Sequence, residues 1–369
     1  MAIEKLDSSI YPSMEKFFHG LKPPPRLTVS QWADRERMLS PESCAEPGKW
    51  LTERAEYQRG IMDALSDPQV ETIVMMSASQ VGKTEIINNI VGYFIDQEPS
   101  PILLVQPTLE MGQSWSKDRF APMLRDTPCL RGKVKDVRTK ESNNTIMHKV
   151  FQGGHITISG ANSAASLAAR PIRIVLCDEV DRYPGSAGTE GDPVNLAFKR
   201  ATTFWNRKRV LTSTPTVRGA SRIEKFWEGS DKRRYYVPCP YCGEYQVLWW
   251  KNLSWEKRND EHLTDYAVYV CEYCRKAITD ADKPVMLSRG EWRAEGPFIG
   301  IAGFHVNELY SPWVTFSQMA ASFLQAKKEP LTLQVWVNTS LGEPWEEGED
   351  TLDEEALVNG SVKKQMKSR

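Results

Sequence analysis

The chain has 369 residues, 40% of them hydrophobic and 26% charged, which is typical of globular proteins and excludes a wholly disordered, collagen-like or coiled-coil chain. Its 47 Lys+Arg and 48 Asp+Glu give a net charge of −1, which excludes a uniformly basic DNA-coating protein but allows a local basic groove. No apolar run approaches the ~18 residues of a transmembrane helix, and the first residues lack the pattern of a secretory signal. We therefore expect no membrane association.

The predicted elements alternate between strands and helices after an irregular lead-in at residues 1–27. In chain order we predict mostly helix from Thr28 to about Leu65, a strand at Glu71–Met76, a helix through Ile95, a strand at Pro101–Gln106, a helix at Glu110–Leu124, a hairpin of His148–Gln152 and His155–Ser159, strands at Ile172–Cys177 and Arg209–Thr214, and helices at Phe316–Ala326 and Leu331–Val337. Short apolar strands between helices favour an α/β fold with a parallel sheet flanked by helices.

A phosphate-binding loop follows the first of these strands. Residues 77–84 (SASQVGKT) match the pattern G-x-x-x-x-G-K-[ST], with Gly82, Lys83 and Thr84 in place and Ser77 at the position of the first glycine. In such a loop, backbone N–H groups and a helix N-terminus cradle phosphates, the lysine adds a positive charge, and the Thr hydroxyl binds Mg²⁺. The alternative is a chance Gly-Lys-Thr at a helix start; the strand before it and the helix after it favour the loop.

Two later strands end in residues that would complete a nucleoside triphosphatase site. The apolar run from Ile172 ends in Asp178, which we expect to hold Mg²⁺ through water, and Glu179, which we expect to polarise the attacking water. An exposed acidic turn is the alternative for this pair. The next strand ends in Thr212 and Ser213, where a hydroxyl could sense the γ-phosphate; the alternative is a strand that simply ends before a proline.

Further candidate residues lie outside these strand ends. Gln58 could read adenine through its amide while Tyr57 stacks on the base, unless both are surface residues of a helix. An arginine that stabilises the transition state is expected, and four candidates remain open: Arg170, Arg182, Arg218 and Arg222.

Four of the seven cysteines form two C-x-x-C pairs. The ligands would be Cys239, Cys242, Cys271 and Cys274. Two tight turns that supply four thiolates suit a closed tetrahedral Zn²⁺ site, which has a structural role because it leaves no position for substrate. The alternative is a set of unpaired core cysteines. We expect residues 233–283 to form a zinc-ribbon-like insertion. Its basic and aromatic residues could contact nucleic acid. We favour the alternative that they form a small aromatic core with a solvated rim.

The ordered set of motifs resembles the large subunit of tailed-phage DNA-packaging terminases, in the lambda-like branch. The resemblance runs from residues 31–34 (QWAD), through the phosphate loop, residues 177–181 (CDEVD), 212–215 (TSTP) and 238–243 (PCPYCG), to residues 337–346 (VNTSLGEPWE). It implies an ATPase of the P-loop NTPase fold (ASCE type) that uses ATP and Mg²⁺ to pump double-stranded DNA into a procapsid. It also implies a homo-oligomeric ring on the portal protein, a terminase small subunit as partner, the cytoplasm of the infected bacterial host as location, and an attached metal-dependent nuclease of RNase H-like fold.

The sequence departs from the family pattern after residue 343, where the nuclease would follow. Only a polar stretch remains, which includes Glu346, Glu347, Glu349, Asp350, Asp353, Glu354 and Glu355. We therefore predict an ATPase core at 28–232, the zinc-ribbon-like insertion at 233–283, a closing subdomain at 284–345, and a linker at 346–369 without the nuclease.

Two other functions stay open at this point. One is a nucleic-acid helicase or translocase of superfamily-2 type, which shares the phosphate loop, the Asp-Glu pair and the Ser/Thr strand end. The other is a non-catalytic zinc-binding assembly module.

Overall fold

A ten-stranded, mostly parallel β-sheet forms the centre of the protein in the computed structural model, which describes residues 26–134, 144–168, 170–259 and 261–346. The strands of these residues are β1 (Met38–Leu39), β2 (Gly48–Lys49), β3 (Thr72–Ser77), β4 (Pro101–Gln106), β5 (His148–Phe151), β6 (Gly154–Gly160), β7 (Ile174–Asp178), β8 (Lys208–Ser213), β9 (Arg233–Pro238), β10 (Tyr245–Val247), β11 (Leu253–Arg258), β12 (Glu261–Val270), β13 (Ala277–Ile278), β14 (Glu291–Arg293) and β15 (Ile301–Val306).

The α-helices are mostly short and lie between the strands. Across the described residues they are α1 (Val29–Glu36), α2 (Tyr57–Asp63), α3 (Lys83–Asp96), α4 (Leu109–Trp115), α5 (Ala121–Asp126), α6 (Ala164–Ala168), α7 (Pro193–Lys199), α8 (Arg222–Glu228), α9 (Lys283–Ser288), α10 (Phe316–Ala326) and α11 (Pro330–Trp336). None of these helices is long and apolar enough to cross a membrane. Most of the predicted lead-in and almost all of the predicted linker lie outside the described residues.

The strand order in the central sheet is β10-β9-β15-β3-β8-β7-β4-β6-β5, and β14 also pairs with β9. The strands from β9 to β6 in this order run parallel, whereas β10, β14 and β5 are antiparallel to their neighbours. The predicted α/β fold with a parallel sheet is therefore confirmed.

The side chains of β3 show why the sheet is buried on both faces. Ile73 and Met75 join one hydrophobic cluster with the apolar face of α3, while Val74 and Met76 join a second cluster with α8. Successive side chains of a strand point to opposite faces, so a continuous apolar run suits a strand that is covered on both sides.

Most predicted elements agree with the structure, with small shifts at their ends. The predicted helix over 110–124 is one helical stretch, α4 to α5, that contains a π-type turn at Ser116–Phe120. The predicted hairpin is formed by β5 and β6. Strands β9, β10, β14 and β15 of the central sheet were not predicted, and neither were β11, β12 and β13.

The cysteine-containing region adds to the central sheet before it forms a sheet of its own. Strands β9 and β10 extend the central sheet, and β11, β12 and β13 form a separate three-stranded antiparallel sheet. Trp250 and Trp255 are buried there against Phe323 of α10 and Trp336 of α11. The expected aromatic core therefore exists, and the closing helices complete it. The division into domains at residues 232 and 283 stays a prediction, although the sheet continues across the first boundary.

Candidate nucleotide site and metal centre

The strands that carry the predicted nucleotide-binding residues end at the same edge of the sheet. Strand β3 lies between β15 and β8, and β7 lies between β8 and β4. The register pairs Met76 with Ser213 and Asp178 with Thr212. Because these strands are parallel, their carboxyl ends bring the phosphate loop, the acidic pair and the hydroxyl pair together, at the place where α/β proteins bind ligands.

The backbone of the phosphate loop has the geometry that the sequence pattern requires. Gly82 has a φ of 90°, in the left-handed region, and directly precedes α3. Thr84 lies in the first turn of that helix, and its binding of Mg²⁺ stays a prediction. Gln80 also has a positive φ of 56°, a conformation that is uncommon for a residue with a side chain and that concentrates at functional sites.

Lys83 is held inside the loop by two oxygen atoms. Its Nζ donates to the carbonyl oxygen of Ala78 over 3.2 Å and lies 3.5 Å from Oε1 of Glu179. The side chain is only 7% exposed. Burial lowers the pKa of Lys83, and the carboxylates of Glu179 and Asp178 oppose that shift. The ammonium group thus lies inside the loop beside Glu179, and its contact with phosphate stays a prediction.

Both carboxylate oxygens of Asp178 accept hydrogen bonds from buried side chains. Thr212 Oγ1 donates to Oδ1 over 2.6 Å, and Gln106 Nε2 donates to Oδ2 over 3.0 Å. Burial raises the pKa of Asp178, while the bonds from Thr212 and Gln106 and the charge of Lys83 act in the opposite direction. These contacts fix the orientation of a carboxylate that is suited to hold Mg²⁺ through water. Sequence reasoning missed Gln106, although its position at the end of β4 is the signal that could have found it.

Glu179 is positioned by a strained backbone. Its φ of 53° and ψ of 52° are left-handed, and it directly follows β7. Its Oε2 is buried and accepts no hydrogen bond from the described residues; Nε of Arg182 is 3.8 Å away. A buried oxygen without a donor is costly unless a water or ligand satisfies it, which fits the expected role in orienting water.

The two hydroxyls at the end of β8 are already engaged by the protein. Thr212 is bonded to Asp178, as described above, and Ser213 Oγ donates to the carbonyl oxygen of Thr214 over 2.8 Å. Ser213 Oγ also accepts a bond from the backbone N–H of Asp181 over 3.2 Å. Their role in sensing a γ-phosphate stays a prediction.

Tyr57 and Gln58 lie under the phosphate loop. The hydroxyl of Tyr57 and the amide of Gln58 both donate to the carbonyl oxygen of Val81 over 3.0 Å, and both side chains are buried. The ring of Tyr57 packs edge-on against Tyr235. These residues are therefore not surface residues of a helix; they brace the loop, and their reading of adenine stays a prediction.

The structure separates the four candidate arginines by their contacts. Arg222 donates to the carbonyl oxygens of Val180 and Pro184, so it supports the loop after β7. Arg218 forms an ion pair with Glu346, and Arg170 bonds to His148. Arg182 is 63% exposed on its side chain and lies beside Glu179.

The four predicted zinc ligands converge. The sulfur atoms of Cys239, Cys242, Cys271 and Cys274 all lie within 4.8 Å of one another. The Sγ atoms of Cys239 and Cys274 are 3.8 Å apart, and those of Cys242 and Cys271 are 3.9 Å apart. A tetrahedral ion with Zn–S bonds of about 2.3 Å places its sulfur atoms about 3.8 Å apart, so the spacing of these two pairs fits Zn²⁺.

The other cysteines do not join this centre. Cys177 is fully buried in β7, in agreement with a small core residue, and Cys44 and Cys129 are partly buried. Among the residues that the structure describes, the four-cysteine cluster is the one group of three or more Cys, His, Asp or Glu side chains placed to share a metal ion.

Comparison with known proteins gives two family matches. The family model for the phage terminase large subunit gpA, ATPase domain, matches residues 44–292. The family model for the terminase large subunit gpA, endonuclease domain, matches residues 301–365. Both agree with the resemblance inferred from the ordered motifs.

Two curated relatives agree with these family matches. The chain is 30% identical to the terminase large subunit of Enterobacteria phage P21, over 92% of this chain and 56% of that protein. It is 27% identical to the terminase large subunit of Escherichia phage lambda, over 88% of this chain and 54% of that protein. The chain thus spans about half the length of these curated relatives. A solved structure, the ATPase domain of the Thermus phage P74-26 large terminase, is 12% identical over 79% of this chain and 96% of that chain, with a TM-score of 0.44.

The endonuclease-domain match corrects one prediction. We expected no nuclease portion in this chain, and that expectation is wrong because residues 301–365 match the endonuclease-domain model. Residues 301–346 of this stretch are described by the structure, and their first strand, β15, pairs with β3, which leads into the phosphate loop. Residues 347–365, with most of the acidic cluster, lie outside the described residues.

Proposed function

Because the chain belongs to the gpA family of phage terminase large subunits, we propose that it is the ATP-hydrolysing motor of a DNA-packaging terminase, which moves double-stranded DNA into a procapsid. The observation that supports hydrolysis most directly is the convergence of Lys83, Asp178 and Glu179 at one edge of the sheet.

The proposed reaction is an in-line attack of water on the γ-phosphate of ATP. Thr84 and Asp178 would hold Mg²⁺, which would neutralise charge on the phosphates. Lys83 contacts the β- and γ-phosphates from inside the loop. Its ammonium lies 3.5 Å from Glu179 in this structure, so incoming phosphate competes with Glu179 for the same cation. Once Lys83 turns to phosphate, the carboxylate of Glu179 is available to orient and polarise water.

The partners in this proposal follow from the family. They are double-stranded DNA, the portal protein of a procapsid, a terminase small subunit and further copies of the chain in a ring, all in the cytoplasm of the infected bacterial host. Arg182 is the candidate arginine with the most exposed side chain near Glu179, which supports a role at the γ-phosphate. Zn²⁺ bound by the four cysteines has a structural role, since it ties β9 and β10 to the separate three-stranded sheet.

Two substitutions test the hydrolytic function. Lys83→Ala should abolish both nucleotide binding and hydrolysis, because the loop loses its cation. Glu179→Gln should keep binding but stop turnover, since the geometry survives while water activation fails. The control is Glu190→Gln, an exposed glutamate in the loop after β7. Hydrolysis of ATP by the Glu179→Gln protein at the wild-type rate would refute the role of Glu179.

The coupling to DNA needs a separate measurement. The protein is incubated with portal-bearing procapsids and linear double-stranded DNA, and a nuclease is then added. We expect the DNA to be protected from the nuclease only when ATP is present. ATP-dependent strand separation without such protection would instead favour a helicase.

A second candidate function is DNA cleavage, which the endonuclease-domain match at residues 301–365 favours. Linear and supercoiled DNA incubated with this protein and Mg²⁺ or Mn²⁺ would test it. Asp350→Ala and Glu354→Ala are informative variants, because two-metal nucleases use carboxylates that hold ions about 4 Å apart. Cleavage that disappears in these variants would support the function; intact DNA at all protein concentrations would reject it for this chain.

A further inference from the structure

A segment near the end of the described chain lies directly on the phosphate loop. Helix α11 does not end at Trp336 but continues through a π-type turn at Val337–Leu341, which Gly342 ends in a left-handed conformation with a φ of 65°. We call residues 337–346 the C-terminal strap. Short π-type turns are rare and are frequently found at functional sites.

The strap binds the phosphate loop through backbone groups. The carbonyl oxygen of Thr339 accepts a bond from the N–H of Ser79 over 2.7 Å and a second from the Ser79 hydroxyl over 3.2 Å. The preceding loop amide, that of Ala78, donates to the carbonyl oxygen of Val306 in β15 over 2.8 Å. The amides of Ala78 and Ser79, early in the loop, are therefore held by β15 and by the strap.

Gly342 allows this close approach. A Cβ at Gly342 would lie 2.5 Å from the backbone nitrogen of Ala78 and 2.7 Å from the carbonyl carbon of Ser77. These are rigid backbone atoms, so a side chain could not be accommodated by a rotamer change. The carbonyl oxygen of Gly342 also accepts a bond from Nε2 of His305 over 3.2 Å.

The strap also holds the loop that follows β8. Nδ2 of Asn338 donates to the carbonyl oxygens of Thr216 and Glu343, both over 2.8 Å. The N–H of Trp345 donates to the same Thr216 oxygen, and the N–H of Arg218 donates to Trp345, each over 2.8 Å.

The contact continues toward the acidic pair. Thr216 Oγ1 donates to Oδ2 of Asp181 over 2.9 Å, two residues after Glu179. The strap therefore contacts the phosphate loop directly, and it is linked through Thr216 to the turn that follows Glu179.

We propose that the C-terminal strap is part of the ATP site, and that Asn338 and Gly342 are positioning residues that act through the phosphate loop and the loop after β8. The inference rests on the proposed ATPase function and extends it, because the ATPase-domain match ends at residue 292. A phosphate loop works as a fixed set of N–H donors, and misplacement by about 1 Å can cost about 100-fold in rate. Since coupling is reciprocal, bound nucleotide must in turn stabilise the strap.

Two variants with matched controls test the proposal. Gly342→Ala introduces the Cβ that meets Ala78; its control is Gly132→Ala, where φ is 76° but nothing lies within 4 Å of the added Cβ. Asn338→Ala removes the two bonds of the amide; its control is Asn195→Ala, an exposed residue of α7.

Binding of a fluorescent ATP analogue with Mg²⁺ is the first readout. Gly342→Ala and Asn338→Ala should weaken it by about 10- to 100-fold, with a matching rise in KM, while both controls stay at the wild-type value. Thermal unfolding and zinc content verify that each variant is folded.

Hydrogen exchange gives a readout that does not depend on catalysis. In the nucleotide-free protein, peptides that contain the Ser79 amide should exchange faster in Asn338→Ala than in wild type. ATP analogue should slow exchange in residues 337–346 of wild type. The strap inference would be overturned, with the ATPase function intact, if both variants bound the analogue with wild-type affinity. It would also be overturned if nucleotide left the exchange rate of residues 337–346 unchanged. A wild-type protein that binds no nucleotide would overturn the ATPase function and the inference with it.

Discussion

Acidification should destabilise this protein through His305, a buried residue near the C-terminal end of β15. Its Nε2 donates to the carbonyl oxygen of Gly342 over 3.2 Å, and its Nδ1 accepts from Arg234 over 3.2 Å. The ring also lies 5.8 Å from that of Trp227. If Nδ1 were protonated, it could no longer accept the bond from Arg234, and its N–H would face the positively charged guanidinium. Burial and, second, the Arg234 charge lower the pKa of His305 from its ordinary 6.5 to about 3, against the opposing effect of the nearby carbonyl groups.

The size of the effect follows from the two pKa values. Above pH 6.5, His305 is neutral in both the folded and the unfolded chain, so it adds no pH dependence. Between pH 6.5 and about 3 the unfolded chain binds a proton that the folded chain does not, so the free energy of unfolding falls as the pH falls. Each pH unit costs about 1.4 kcal/mol, so at pH 5 the loss is about 2 kcal/mol.

The assay is urea unfolding of wild type and His305→Gln at pH 7 and at pH 5. Glutamine keeps one donor and one acceptor but does not titrate, so the variant should recover about 2 kcal/mol of the loss at pH 5. His148→Gln is the control: burial also lowers the pKa of His148, but this residue is partly exposed and should recover less. The same loss of stability in wild type and His305→Gln would refute the reasoning.

Three further predictions concern the catalytic carboxylate, the metal centre and a buried ion pair. Gln106→Leu should lower kcat about 10- to 100-fold, because a charge-assisted hydrogen bond to Asp178 worth about 1.5–3 kcal/mol is lost, and steady-state ATPase kinetics would measure it; an unchanged kcat would contradict this. Elemental analysis should find one Zn²⁺ per chain, and Cys242→Ser should reduce it; a protein purified without chelators that contains no zinc would contradict the metal centre. Arg37→Met should destabilise the fold by about 3–5 kcal/mol in urea unfolding, because it leaves Glu85 of α3 without the buried partner that lies 3.0 Å away; a loss below ~1 kcal/mol would contradict a structural role.

The sequence was sufficient for the parts of the site that depend on local pattern. A phosphate loop needs consecutive residues and a glycine in a left-handed conformation, and Gly82 supplies it. A zinc knuckle likewise needs two cysteines in one tight turn. Strands such as β3 and β7 are continuous apolar runs that end in polar residues, so their partnership at one sheet edge could be inferred from the parallel topology.

The remaining contacts depend on distant residues and could not be predicted from pattern. In the sequence, Gln106 is only a polar residue at the end of a strand. Its role becomes visible in the structure, where its amide lies beside Asp178. Only the fold places the carbonyl oxygen of Val81 next to Gln58 and Tyr57, and their contact with a base stays a prediction. The apolar run of β15 is short and contains a glycine and a histidine, so nothing local identifies it as a partner of β3.

The place of β15 in the sheet also affects how the chain folds. Strand β3, which leads into the phosphate loop, pairs on one side with β8 and on the other with β15, near the end of the described chain. Pairings between such distant residues form slowly, because closing the long intervening loop costs entropy before the contact can stabilise the chain. A growing chain that has reached only residue 292 still exposes one edge of β3, and an exposed edge can pair with another chain and aggregate. A soluble ATPase fragment of this protein must therefore extend through Val306.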